Sequence, residues 1–312
     1  MMPNTPITEG IYDIPDAAYH ADPCPEPSLS SSIAHILLTR SPWHAWTAHP
    51  RLNPNWVADD DSKFDRGKAA HAVMLGGEAA LATIDAADYR TAAAKAARDA
   101  ARAAGKIPVL VDKLAEVRAM VTAGREQLRR HVDAAGAFTN GKPERTLIWR
   151  EGSIWCRLKL DWQPDAGTVF DDFKSTAASA HPDAWVRTAY GFGADFQAGF
   201  YRRGIRAVLG FENPTFRFVV QEVEPPYALS VIQFAPAAID LADQDVDRAI
   251  ALWTRCMAEN RWPGYPNRTC HVDPPSYEVW RREERVARDE GIRAAGGDSF
   301  AMMMDWQRPV EN

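Results

Sequence analysis

The sequence predicts a protein of the α/β (α+β) class, in which a central mixed sheet is flanked by helices. Three observations support this prediction. Small and apolar residues recur with helical spacing in the first half of the chain, segment 145–174 then changes to the two-residue alternation of strands, and a long helical stretch follows at 180–209. Since helices and strands come in blocks, they are expected to pack as layers.

The N-terminal segment, residues 1–63, is expected to pack on the core through short elements. A short edge strand is predicted at 10–13. The serines at 30–32 can cap a short helix that ends near Leu38, and Ser41-Pro42 begins another helical turn.

The next segment is predicted to be helical. A helix at 64–75 contains several small residues, and an alanine-rich insert near 79–135 should form a helix at 79–105 and a second one at 111–132. Residues 90–130 contain ten basic and four acidic residues, a net charge of +6. This insert is either a solvated helical hairpin or one wall of a DNA groove.

The second half of the chain carries the strands. A three-strand meander is predicted at 145–149, 154–162 and 168–174, and a hairpin at 215–223 and 229–234.

Helices fill the rest of the second half. The helix at 180–209 is expected to break near Gly191 and Gly193, and another begins at Pro236 and ends near Asn260. Residues 64–265 would then form the core domain, and residues 266–312 a charged helical tail.

Composition limits the possible classes of protein. The 312 residues carry a net charge of −6, so any DNA-binding surface must be a local basic channel on an acidic body. No apolar run approaches the roughly 20 residues of a membrane span, and no signal peptide is recognisable, so we expect a cytoplasmic protein without membrane attachment. The spacing of the four cysteines fits neither zinc nor an iron–sulfur cluster.

Two aspartates and a lysine form the most informative constellation. If a four-residue turn at 164–167 joins two strands of a hairpin, Asp172 lies opposite Lys159 and shares one face with Asp161 and Lys174. Two carboxylates on one face repel each other unless a cation lies between them. Hard oxygen ligands favour Mg²⁺ or Mn²⁺. The alternative is a surface strand with a salt bridge.

Four other residues are weaker candidates. Gln197 and Tyr201 are one helical turn apart and share a face, although such a pair is often ordinary helix surface. His71 is a metal ligand only if its helix crosses near the hairpin, and is otherwise a packed structural histidine. Glu144 is either a metal ligand, a carboxylate that contacts a metal ligand, or a surface residue.

These residues, in this order, resemble the RecB-like branch of the PD-(D/E)XK nuclease superfamily, and they are similar to the nuclease domains of the RecE type. The resemblance covers about residues 10–265. Its motifs are Gly67 to His71, Glu144, Leu160-Asp161, Asp172-Phe173-Lys174 and Gln197 to Tyr201. The superfamily's proline before the first aspartate is Leu160 here.

The resemblance implies a role for each of these positions. Asp161 and Asp172 would bind metal together with the backbone carbonyl of Phe173, and His71 would ligate a second ion. Glu144 would be a further metal candidate. Two Mg²⁺ or Mn²⁺ ions and no iron–sulfur cluster are therefore expected.

The remaining motif residues would act on DNA. The resemblance implies that Lys174 positions the attacking water, and that Gln197 and Tyr201 line the site and contact the DNA end. The implied activity is Mg²⁺-dependent exonuclease digestion of linear double-stranded DNA, 5′ to 3′, which leaves 3′ single strands for phage-type recombination. Relatives of this type form rings, a trimer or tetramer, and supply a single-strand annealing protein.

Two other functions are compatible with the sequence. One is a site-specific or structure-specific endonuclease of the same superfamily. The other is a non-catalytic module that interacts with DNA or protein, for which the methionines at 302–304 could provide an adaptable partner-binding tail.

Overall fold

Two mixed sheets form the framework of the protein. The computed structural model describes residues 7–57 and 65–298, and the prediction for the methionines at 302–304 lies outside this part of the chain. The chain divides into two compact units, Met1–Gly264 and Tyr265–Asn312. Both sheets belong to the first unit.

The first sheet has four strands in the order β1-β5-β6-β2. The antiparallel pair of β5 and β6 is its centre, β1 is antiparallel to β5, and β2 is parallel to β6. The strands are β1 (Gly10–Asp13), β2 (Leu29–Ser30), β5 (Gly141–Glu151) and β6 (Ile154–Pro164). The edge strand predicted at 10–13 is therefore confirmed.

The second sheet has three strands in the order β7-β8-β9. Strand β7 (Val169–Thr176) is parallel to β8 (Thr215–Glu222), and β8 forms an antiparallel hairpin with β9 (Leu229–Ile232). The hairpin was predicted. The three-strand meander is right for β5 and β6, which pair as antiparallel neighbours, but wrong for β7, which lies next to β6 and pairs with β8.

Helices cover both faces of the second sheet. On one face, α8 and α9 bury Phe200 and Trp253 in a core with Phe170 and Phe218. On the other face, α4 and α6 pack against Phe173 and its neighbours. The helices of the first unit are α1 (Asp16–His20), α2 (Ser31–Thr39), α3 (Pro42–Ala48), α4 (Asp65–Met74), α5 (Ala92–Ala103), α6 (Val111–Arg129), α7 (Pro182–Phe192), α8 (Ala194–Leu209) and α9 (Pro236–Glu259).

The alanine-rich insert differs in part from the prediction. A continuous helix at 79–105 is wrong, because a small parallel sheet of β3 (Leu81–Ile84) and β4 (Ile107–Leu110) brackets α5. These short runs bury Leu81 and Val109, which outweighs the helix propensity of the neighbouring alanines. The second predicted helix is present as α6.

The second unit contains α10 (Ser276–Ala294), a helix without buried residues. None of the helices in the described part of the chain combines the length and apolar character needed to cross a bilayer.

Candidate active site

Strands β5 and β6 lose one rung of their ladder at the pair Glu144 and Asp161. The rungs on either side are present, with Pro143 opposite Trp162 and Arg145 opposite Leu160. Glu144 has a left-handed backbone, with φ of +55°, which an L-residue adopts only at a cost of about 1 kcal/mol. Such strain in the middle of a strand is typical of functional sites.

The side-chain carboxylate of Asp161 bonds to the backbone of β7, where a neighbouring strand would normally present a backbone carbonyl. Its Oδ2 accepts a hydrogen bond of 2.7 Å from the backbone N–H of Phe173. The hairpin register predicted for these strands is therefore wrong, because a side chain and not a backbone carbonyl bridges β6 and β7. The N–H and C=O of one residue in an extended strand point to the same edge, so the Phe173 carbonyl is also directed towards β6.

Asp172 and Lys174 share one face of β7, as predicted from their spacing. The Lys174 ammonium contacts Oδ1 of Asp172, and Nε2 of Gln197 donates to Oδ2 at 2.9 Å. Asp172 is only 1% exposed. Its neighbour Asp171 faces the other side and forms a hydrogen-bonded ion pair with Arg217.

Helix α8 carries Gln197 to Asp172 and also packs very close to the first sheet. A Cβ atom on Gly204 would approach Leu158 and Trp149 to within 3 Å, so only glycine allows this close packing. Tyr201 lies one turn after Gln197, and its ring packs edge-on against Phe216 at 5.2 Å between centroids. Burial raises the pKa of Tyr201, so its hydroxyl stays protonated at neutral pH.

His71 connects the two predicted carboxylates of the first sheet. Its Nε2 is 3.0 Å from Oδ2 of Asp161, and its Nδ1 is 3.3 Å from Oε1 of Glu144. Helix α4 places it there by packing Ala70 and Met74 into the core beside Phe173. The structure therefore brings the histidine to the aspartates, as the metal-site interpretation requires.

The charges of the cluster depend strongly on one another. Burial and the nearby charge of Asp161 raise the pKa of Asp172 to about 6. Burial would also raise the pKa of Asp161, but the charges of His71 and Lys174 and the N–H of Phe173 lower it overall. Burial would lower the pKa of His71, yet Asp161 and Glu144 raise it to about 9. Two cations thus balance the carboxylates when metal is absent.

The donor set fits a divalent cation. Oδ1 of Asp172 is buried and faces the ammonium of Lys174, a position that a metal cation could take. Carboxylate and carbonyl oxygens are the ligands that Mg²⁺ and Mn²⁺ prefer. Among the described residues, no three acidic, histidine or cysteine side chains already form a closed metal cage. Protons and ammonium groups would therefore have to give way to an ion.

Two residues of the cluster had no role assigned from the sequence, although Lys159 was predicted to lie on the same face as Asp161. The Nζ atom of Lys159 is 2.8 Å from Oε2 of Glu144 and also contacts Asp16 of α1. The two-residue spacing of Lys159 and Asp161 places both on one face, which is a signal for Lys159. No local pattern marks Asp16, which comes close only through the fold of the N-terminal segment.

A separate cavity of about 380 Å³ lies at the C-terminal half of α8 and the start of α9. Arg202, Arg206 and Asp243 line it, together with Phe216. The predicted site residues do not line this cavity. We therefore place the chemistry at the carboxylate cluster, where His71 and Lys174 are each 29% exposed at the side chain.

Comparison with known proteins identifies a family and a similar fold. Residues 40–272 match the family described as a PDDEXK-like domain of unknown function (DUF3799). A crystal structure from Eubacterium rectale, provisionally named an exonuclease, is similar with a TM-score of 0.54 and 11% identity, over 86% of this chain and 98% of the other. At that identity the likeness concerns the fold alone. A search of curated proteins finds no match. Because the matched segment covers well over half of the 312 residues, the chain belongs to the PDDEXK-like family.

Proposed function

We propose that this chain is a metal-dependent exodeoxyribonuclease of the RecE-like type, which digests linear double-stranded DNA from its ends. The observation that carries the proposal is the meeting of His71, Asp161, Asp172 and Lys174 at the edge between β6 and β7. Three elements supply these side chains, and membership of the PDDEXK-like family supports a nuclease.

Two ions could be held by the residues present. Asp161, Asp172 and the carbonyl of Phe173 would bind the first Mg²⁺ or Mn²⁺, and His71 with Asp161 would bind the second. Bound ions of this kind activate water and stabilise the charge that develops on a phosphoryl group.

The protein side chains would orient the reaction. Lys174 is next to Asp172 and partly exposed, so its ammonium can position an attacking water and donate to the scissile phosphate. Gln197 holds Oδ2 of Asp172 and thereby fixes the direction of the carboxylate. Tyr201 stays protonated and would serve as a neutral hydrogen-bond donor near the DNA end.

The test is digestion of linear duplex DNA labelled at either the 5′ or the 3′ end, with Mg²⁺ and with chelator. We expect digestion only with the ion and a loss of at least about 100-fold in rate for Asp172→Asn and Lys174→Ala. Early release of the 5′ label as mononucleotide would establish 5′ to 3′ polarity. Asp165→Asn and Lys142→Ala are matched controls, because both side chains are exposed.

Other outcomes favour the alternatives. Cleavage of covalently closed circular DNA would indicate an endonuclease of the same superfamily. Binding of DNA without any ion-dependent cleavage would indicate a non-catalytic module, and full activity of either variant would defeat the assignment.

The proposed assembly is a homo-oligomeric ring, a trimer or tetramer, that would enclose duplex DNA and cooperate with a single-strand annealing protein. The likeness of the motifs to RecE-type domains supports this part of the proposal. Light scattering of the purified chain during size-exclusion chromatography tests it, and a monomer at micromolar concentration would contradict it.

A further inference from the structure

A continuous chain of charged contacts runs from α1 to the candidate metal site. Asp16 contacts the ammonium of Lys159, which is 2.8 Å from Oε2 of Glu144. The other oxygen of Glu144 is 3.3 Å from Nδ1 of His71, and Nε2 of His71 faces Asp161. Five side chains from four elements thus form one unbroken series of contacts.

Each ring nitrogen of His71 faces a carboxylate, Glu144 at Nδ1 and the candidate metal ligand Asp161 at Nε2. A carboxylate next to Nδ1 favours the tautomer with its proton on Nδ1, which leaves the lone pair on Nε2 available to a metal. Glu144 is in the position of that carboxylate. Its left-handed backbone shows that the fold maintains this position at a cost in free energy.

Glu144 would not stay there without a cation. Its carboxylate and that of Asp161 face the same imidazole, and the ammonium of Lys159, 2.8 Å from Oε2, is the cation on the other side of Glu144. The side chain of Lys159 is only 11% exposed. Its ammonium also lies 5.9 Å from the ring centre of Tyr19, so α1 encloses it from the other side.

We propose that Lys159 is a positioning residue of the metal site, which holds Glu144 against Nδ1 of His71 so that Nε2 is presented to the ion. Helix α1 belongs to the same arrangement, because its Asp16 contacts Lys159. Residues 16–20 nevertheless lie outside the segment that matches the family. This inference rests on the proposed function, since it assumes that His71 binds metal.

The direction of the change in metal affinity distinguishes a positioning role of Lys159 from a purely electrostatic one. Removing a positive charge near a cation site strengthens cation binding by Coulomb attraction alone. Loss of a group that orients a ligand weakens binding, typically 10- to 100-fold. For Lys159→Met we therefore expect Mn²⁺ affinity to fall about 10-fold or more, and we expect Lys159→Arg to restore most of it.

The measurement is Mn²⁺ titration of the full-length chain without DNA, by calorimetry and by electron paramagnetic resonance of free Mn²⁺. Lys142→Met is the matched control, because Lys142 is an exposed lysine on β5. Circular dichroism confirms the fold of each variant, and Lys159→Gln replaces Lys159→Met if the latter is unfolded. The double variant Lys159→Met/Glu144→Gln should bind no more weakly than Glu144→Gln alone, because Lys159 acts through Glu144.

Two kinds of failure can be told apart. Unchanged or tighter Mn²⁺ binding by Lys159→Met, or additive losses in the double variant, would overturn this inference alone. Absence of Mn²⁺ binding by the unaltered chain would overturn the proposed function, and this inference with it.

Discussion

At the scale of single residues, the buried carboxylate of Asp172 lowers the stability of the metal-free protein at neutral pH. Because its pKa is raised to about 6, the folded protein binds this proton more tightly than the unfolded chain does. Its contribution to stability is complete below pH ~4 and is lost as the pH rises through 6. At neutral pH without metal, the charged form therefore destabilises the fold.

The substitution Asp172→Asn should consequently stabilise the metal-free protein at pH 7.5, by about 1–3 kcal/mol in the free energy of unfolding. Urea denaturation with chelator measures this, with Asp165→Asn as the control. Added Mn²⁺ should raise the midpoint of the unaltered protein and leave that of Asp172→Asn unchanged. A variant that is less stable than the unaltered protein without metal would contradict this explanation.

Glu144 provides a second test at this scale. Its φ of +55° suits glycine and strains alanine. Both Glu144→Gly and Glu144→Ala remove the carboxylate, but only glycine relieves the backbone. We expect the glycine variant to be more stable by about 1 kcal/mol in chemical denaturation, the reverse of the usual order within strands. Equal stability would mean that the left-handed backbone carries no strain.

The residues that lie together at the site were predicted from the sequence more accurately than the contacts between them. Spacing alone placed Asp172 with Lys174 on one face, and motif order suggested the approach of His71. The hairpin register failed, because local turn residues cannot show that the side chain of Asp161 will bond the backbone of Phe173. Asp16 could not be found, since its position depends on long-range folding of the N-terminal segment.

At the scale of elements, Gly193 determines the angle between α7 and α8. Its φ is +76°, and a Cβ atom there would lie 2.5 Å from the ring of His35. Gly191, two residues earlier, is within α7 and has no atom within 4 Å of an added Cβ. The sequence predicted a break near both glycines, and the structure assigns it to Gly193.

These glycines should respond with opposite signs to the same substitution. Gly193→Ala should destabilise the protein by about 2–4 kcal/mol, since it combines backbone strain with a clash. Gly191→Ala should stabilise it by about 0.5–1 kcal/mol through helix propensity. Thermal unfolding of both variants at one pH checks the pair, and a loss of stability in Gly191→Ala would argue that α7 frays there.

The loop after α1 is attached to β6 by a buried carboxylate. Asp22 accepts hydrogen bonds from the backbone and hydroxyl of Ser28, and it is 3.3 Å from Nε2 of His49 and 3.2 Å from Arg157. Burial would raise the pKa of Asp22, but His49 and Arg157 lower it to about 2. Its stabilisation is present above pH ~4 and is lost as the pH falls through 2.

We therefore expect Asp22→Asn to lose about 2–4 kcal/mol of unfolding free energy at pH 7. The difference from the unaltered protein should narrow as the pH falls from ~4 towards 2, because protonation then removes the same charge. Urea denaturation at several pH values measures the gap. A gap that stays constant with pH would show that shape, and not charge, makes Asp22 important.

Element boundaries were predictable where a local signal existed. Ser30 and Ser41 cap α2 and α3 through their side chains, as their positions indicated. The small sheet of β3 and β4 was missed, because its strands pair in parallel across α5 and no short-range pattern reveals such pairing.

At the scale of the whole molecule, the net charge of −6 repels DNA, so any DNA binding would depend on where the basic residues lie. The most basic stretch, 90–130, keeps its net charge of +6, although several of its basic side chains pair with nearby carboxylates. Lys113 pairs with Glu116, and Arg129 and Arg130 pair with Glu126. Because α6 is packed on the core beside Phe173, the stretch is not a solvated helical hairpin, and its role as one wall of a DNA groove stays a prediction.

The salt dependence of DNA binding should separate a basic residue next to the candidate site from one on α6. Lys68 lies one turn before His71 on α4, so both share the face next to the candidate site. If Lys68 contacts a phosphate, Lys68→Gln should reduce the slope of log K against log salt concentration by about one. Arg129→Gln should leave the slope unchanged, because Arg129 already pairs with Glu126.

Both slopes are measured by fluorescence anisotropy of a labelled duplex at several salt concentrations. Ca²⁺ is the added ion in order to prevent cleavage. Equal effects of the two substitutions would place the α6 surface on the DNA after all. An unchanged slope for Lys68→Gln would move the DNA path away from α4. Contacts at the candidate metal site would then have to account for DNA binding. A net negative surface cannot do so, because it releases no counterions from the DNA phosphates.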